Sequence, residues 1–90
     1  MAEFAVIGIA RSGVAAANAL AERGHHVLAS DPGDETRLAD HLAALDPRVD
    51  VALGRNVVQD HATVVVSPGL PPRVPLFAEC RQRGLEVIGE

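Results

Sequence analysis

The ninety-residue sequence has no lysine, tryptophan or tyrosine, one cysteine and two phenylalanines. Each absence removes a class of function. Without lysine there is no P-loop lysine to hold a nucleotide's terminal phosphates and no lysine nucleophile. The eight basic residues are all arginine, they are not clustered, and the formal charge is −4. With almost no aromatic side chains for stacking, nucleic-acid binding is not expected. A lone Cys80 excludes a disulfide framework and fits a reducing cytoplasm. No apolar run approaches the roughly twenty residues that span a bilayer, and no basic segment leads into a long apolar stretch, so neither membrane insertion nor a signal peptide is expected.

What the chain has in quantity is small aliphatic residues, with a hydrophobic fraction of 48%. These suit close packing of helices on a sheet. The stretch that organises the rest is Phe4–Gly13. Its apolar run, about Phe4 to Ile9, reads as a central parallel strand. It ends in Gly8-Ile9-Ala10-Arg11-Ser12-Gly13, and an alanine-rich helix over about 13–23 follows, with Ser12 as its expected N-cap. A strand, a glycine turn and a helix in this order expose backbone N–H groups at a helix N-terminus, a ready seat for phosphate.

The pattern then repeats. His26–Ser30 predicts a second strand, closed by Asp31-Pro32-Gly33. Asp34 is placed to cap a second helix with Leu38, Leu42 and Leu45 on its buried stripe. Asp50–Leu53 predicts a short third strand, and 54–61 a connection with room for one or two helical turns. Thr63–Ser67 predicts a fourth strand, stopped by Pro68-Gly69-Leu70-Pro71-Pro72. A last helix over about 75–83 has Leu76, Phe77 and Cys80 inward and Arg81 and Arg83 near its C-terminal dipole. Glu86–Ile88 predicts a fifth strand. Alternating strands and helices imply an α/β fold of one domain: a Rossmann-like, doubly wound five-stranded parallel sheet of order 3-2-1-4-5. The order reverses between the first and fourth strands, and ligands bind beyond the carboxyl ends of the strands at such a switch point. The loops there are Gly8–Gly13 and Ser67–Pro72.

Each candidate residue has a plain reading beside a functional one. The glycine turn is a ligand loop or only a tight connection, and Ala10 stands where GxGxxG has its middle glycine. Ser12 caps a helix or donates to a phosphate oxygen. Arg11 is a solvated cation or a phosphate contact. Asp31 starts a turn, or holds the position of a ribose-binding acid. His25, His26, His41 and His61 lack metal-ligand spacing and read as surface or packing residues, so no metal site is expected. Cys80 reads as core, and no catalytic set emerges from spacing.

The opening Gly8-Ile9-Ala10-Arg11-Ser12-Gly13, the later Ser67-Pro68-Gly69-Leu70-Pro71-Pro72 with Val74-Pro75-Leu76, and the closing Gly84-Leu85-Glu86-Val87-Ile88-Gly89-Glu90 together resemble the N-terminal domain of the Mur ligases. The D-glutamate-adding branch is the most similar, and the resemblance spans essentially the whole chain. It implies a three-domain cytoplasmic enzyme of peptidoglycan synthesis. That enzyme uses ATP and Mg to join D-glutamate to UDP-N-acetylmuramoyl-L-alanine through an acyl phosphate. The P-loop would lie in a central domain and part of the glutamate site in a C-terminal one. The ninety residues would then be the N-terminal domain alone, which holds the UDP part of the substrate, has no cofactor of its own and is inactive by itself. By the same resemblance the loop Ile9, Ala10, Arg11, Ser12 and Gly13 contacts the diphosphate. Asp31 reads the uracil with Pro32 and Gly33 beside it, where the family often has Thr and then Arg. Ser67, Pro68 and Gly69 form the opposite wall. Val74 stands where a capping Ser is common. Two other readings stay open. A dinucleotide-binding (NAD or FAD) module of an oxidoreductase fits the same turn and Asp31, although SPGLPP and the VIGE ending are not expected of it. A regulatory interaction domain predicts no nucleotide binding and a large exposed apolar patch.

Overall fold

A computed structural model describes residues 2–66 and 75–89. Its elements are β1 (Glu3–Ile7), α1 (Arg11–Glu22), β2 (His26–Asp31), α2 (Ala39–Ala44), β3 (Asp50–Leu53), β4 (Thr63–Val66), α3 (Pro75–Arg83) and β5 (Val87–Gly89). The five strands form one parallel sheet of order β3-β2-β1-β4-β5, as the alternating pattern predicts. β1 is central: Val6 pairs with Ala29 on one side and with Val65 on the other.

Because side chains alternate across a strand, the sheet carries a core on each face. On one face Val6, Val27, Ala29 and Val65 pack with Val14, Ala17 and Ala21 of α1, and with Leu38 and Val49. Leu42 and Leu45 add to this core from its edge. On the other face Ala5, Ile7, Val64 and Val66 pack with Val58, Ala62 and Cys80. Cys80 is thus the core residue expected, and burial pushes its thiol pKa up. The predicted inward positions of Leu76 and Phe77 fall outside the described side chains.

Three local expectations are corrected. The N-cap of α1 is Ala10, in extended conformation, and no side chain caps the helix; Ser12 already lies inside the first turn. Asp34 does cap, accepting the Arg37 N–H at Oδ1 (2.8 Å), but the turn it starts is separate from α2, whose own N-cap is Leu38. The connection 54–61 contains no helix. It must pass beneath β2 and β1 and return to the start of β4, about 20 Å in all for strands about 4.8 Å apart. Eight residues reach only about 12 Å as a helix but about 26 Å when extended.

Side chains hold the connections in place. Ser30, fully buried at the end of β2, accepts the Val57 N–H at Oγ (2.9 Å) and fixes the extended connection against the sheet. Asn18, in the middle of α1, donates to the Ala44 carbonyl (2.9 Å) and accepts the Asp46 N–H (2.7 Å). It thereby satisfies groups left open at the end of α2. Arg83 donates to the Val58 carbonyl (3.0 Å) and pairs with Asp60, so its main partners lie on the connection as well as at its own helix end.

Candidate functional site

The switch point lies between the carboxyl ends of β1 and β4. The first wall is built by two glycines. Gly8 leaves β1 with φ of 101°, a conformation that costs a side-chain-bearing residue about 1–2 kcal/mol. Its N–H donates to the Ser30 carbonyl (2.8 Å). At Gly13 a Cβ would stand 2.0 Å from the Gly8 carbonyl oxygen. Only glycine there lets α1 begin directly against the end of β1.

The result is an open helix N-terminus at the carboxyl end of the sheet's central strand. The first helical hydrogen bond runs from the Val14 N–H to the Ala10 carbonyl (2.9 Å), so the N–H groups of Arg11, Ser12 and Gly13 have no partner within the helix. No side chain caps them. Arg11 and Ser12 are exposed, and Arg11 joins no ion pair among the described residues. Three amide donors, a hydroxyl and a free guanidinium therefore face the same solvent, a set suited to an anion.

Asp31 ends β2 beside this loop. Its Oδ2 accepts the Ile9 N–H (2.8 Å) and its Oδ1 accepts the Gly33 N–H (2.7 Å). The second bond is the turn-initiating contact that Asp before Pro-Gly suggests. The first has no signal in the sequence: it ties the glycine loop to the turn after β2 across 22 positions. Each carboxylate oxygen keeps a further lone pair for a ligand donor. Gly33 is buried, and its carbonyl accepts the Gly54 N–H (3.2 Å), so the end of β3 joins the same rim. Arg55 continues it through an antiparallel bridge to Asp31.

The structure thus brings Ile9, Ala10, Arg11, Ser12 and Gly13 next to Asp31, Pro32 and Gly33. Ser67, Pro68 and Gly69, the expected second wall, lie outside the described residues. A separate cavity of about 370 Å³, lined by residues that include Asp60, His61, Arg83 and Glu86, opens at the opposite end of the sheet, where β4 and β5 begin. Its one arginine is already engaged: Arg83 pairs with Asp60 and stands 3.6 Å from Glu79. Asp60 accordingly titrates below the ordinary carboxylate range. The switch point, with its unspent donors, is the better candidate. Among the described residues no group of three metal-ligating side chains occurs, and no helix is long and apolar enough to cross a membrane.

Comparison with known proteins identifies the family. The family model described as "Mur ligase MurD-like, N-terminal domain" matches residues 2–89. Three similar curated proteins all carry the name UDP-N-acetylmuramoylalanine–D-glutamate ligase. That of Trichlorobacter lovleyi is 42% identical over 91 residues, covering 94% of this chain and 20% of the relative. That of Microcystis aeruginosa is 37% identical over 95 residues, covering 100% and 21%. That of Geobacter metallireducens is 43% identical over 89 residues, covering 94% and 20%. The chain spans about a fifth of the length of these relatives.

Proposed function

The chain belongs to the family of MurD-like N-terminal domains of Mur ligases, and on that premise we propose that it is the UDP-binding domain of a ligase that adds D-glutamate to UDP-N-acetylmuramoyl-L-alanine. The full enzyme works in the cytoplasm, in peptidoglycan synthesis, with ATP and Mg. This domain binds and orients the substrate and does no chemistry by itself.

The single observation that carries the reading is the open N-terminus of α1 beside the Asp31 clasp. The amides of Arg11, Ser12 and Gly13, together with the Arg11 guanidinium, bind the diphosphate. Asp31, its two oxygens already fixed by the Ile9 and Gly33 amides, accepts the ring N–H of uracil with a remaining lone pair. Ile9, Ala10, Pro32 and Gly33 shape the floor, and Ser67, Pro68 and Gly69 form the facing wall. The donor set of this chain does not fit Mg-ATP. It has no lysine for the terminal phosphates, and its described carboxylates and histidines do not gather into a metal site. Activation of the carboxylate therefore belongs to other parts of the full enzyme.

The test is an NMR titration of the chain with UDP-N-acetylmuramoyl-L-alanine, run beside NAD. Shifts at 9–13, 31–33 and 67–69 with the UDP-sugar alone are expected. Selective shifts with NAD, or none with the UDP-sugar, overturn the reading. Arg11→Ala is expected to weaken UDP-sugar binding about tenfold or more, the worth of a charge-assisted hydrogen bond, and to leave the melting temperature unchanged. An unaltered affinity removes Arg11 from the site.

A further inference from the structure

The two faces of the sheet are covered unequally. The register places Val6, Val65 and Ile88 in one row across β1, β4 and β5, on the face that carries α1. There α1 packs on β1 and β2, with α2 beside it. Over β4 and β5, α3 serves the opposite face, where Cys80 joins Val64 and Val66. Among the described residues α1 reaches Val65, and no helix covers Ile88 beyond it. What remains is an apolar groove of about 320 Å³ lined by Phe4, Ala16, Ala19, Leu20, Val65 and Ile88, with Arg23 at its rim. Val65 is 7% exposed but its neighbour Ile88 is 43% exposed, so burial stops partway across the sheet.

We infer that this groove seats the polypeptide that follows residue 90 in the full-length ligase, folded as an amphipathic helix that returns across β5 and β4 alongside α1. The inference rests on the ligase reading above. The matching family is an N-terminal domain and the relatives are about five times longer, so in them polypeptide follows the matched region. β5 is parallel to its neighbours and leaves the sheet at the same end as the crevice. A segment that turns back there by a connection of ordinary length runs antiparallel to β5 and meets the groove directly. A helix is the element that completes a half-covered layer of this kind. Ala16 and Ala19 leave room for its close approach, and Arg23 offers an acidic residue on it a partner. A second copy of the chain is the poorer occupant, because each carries a net charge of −4 and the surface is a groove rather than a flat patch.

Thiol labelling tests the inference. Ala19 is exposed and lines the groove, and Gln82 is exposed on the far side, on α3. Ala19→Cys and Gln82→Cys are made in the full-length protein and in the ninety-residue chain, and labelling at each position is followed by mass spectrometry. In the full-length protein Ala19→Cys is expected to label about tenfold or more slowly than Gln82→Cys, because its reaction waits on local opening. In the ninety-residue chain the two are expected to label alike. Equal rates in the full-length protein overturn the inference. So does protection already present in the ninety-residue chain and lost on dilution, which would make a second copy the occupant. UDP-sugar binding by the ninety-residue chain is read separately, so a failed ligase reading is told apart from a failed docking surface.

Discussion

The two ends of the sheet are built from opposite materials. Where the strands begin, charges are spent on one another: His26 lies 2.7 Å from Asp50 and 3.5 Å from Glu3, Arg48 holds Asp46, and Arg83 holds Asp60. Where β1 and β2 finish, backbone carries the structure. Gly8 and Gly13 fit against each other, Asp31 accepts two amides, and Arg11 stands free among the described residues. The lesson is that unspent donors and a cavity need not coincide: the donors are left over where β1 and β2 finish, and the cavity of about 370 Å³ opens at the other end.

Substitutions at four positions test this contrast. Gly13→Ala is expected to have the largest effect, because its Cβ would collide with backbone at 2.0 Å. A loss of about 3 kcal/mol in urea unfolding is expected, at the upper end for overpacking. A chain within about 0.5 kcal/mol of wild type, the range of ordinary surface changes, would break the contrast. Asp31→Ala removes both clasp bonds and is expected to cost about 2–3 kcal/mol. Asp31→Asn, which keeps one acceptor, is expected to cost less; equal losses would show that the clasp is not what matters. Asn18→Ala is expected to cost about 1–2 kcal/mol by freeing two backbone groups at the end of α2, with faster amide exchange at Asp46 as its local sign.

The smallest effect is at the opposite end and depends on pH. Asp50, with help from Glu3, raises the His26 pKa above 6.5. A pKa raised on folding gives stability that is complete below about 6.5 and fades as pH rises through the higher folded value. The melting temperature is therefore expected to fall slightly over that window. His26→Gln removes this slope, and an unchanged slope would assign it elsewhere. The Asp46 carboxyl behaves in the opposite sense. Held near pKa 2 by Arg48, it supports the fold above about 3.8 and loses its contribution as the medium is acidified toward 2.

The strand order was legible because continuous apolar runs such as Ala5–Ile7 and Val64–Val66 have only one comfortable place, inside a parallel sheet. The glycine loop and the Asp31 turn were legible from residue type. What escaped was geometry that depends on distant partners. Ser12 resembles a cap by composition, yet Ala10 takes the position because Gly13 lets the helix start earlier. Asn18 reads as one polar residue in an alanine helix, and nothing local shows that it clamps the end of α2. The Asp31–Ile9 bond joins two loops that are neighbours only once β1 and β2 have paired.

The central place of β1 also sets an order of events in time. Pairing Phe4 with Val27 closes a loop of about twenty residues, whereas pairing it with Thr63 closes one of about sixty. Entropy of closure favours the first by only about 0.8 kcal/mol, but the first also gains α1 packed on its own strands. The β1–α1–β2 unit, with its glycine loop and clasp, can therefore form early, while the switch point exists only after β4 arrives. A ligand that grips both walls finds only the first of them in that early unit. Its stabilisation is expected to show more in slower unfolding than in faster folding.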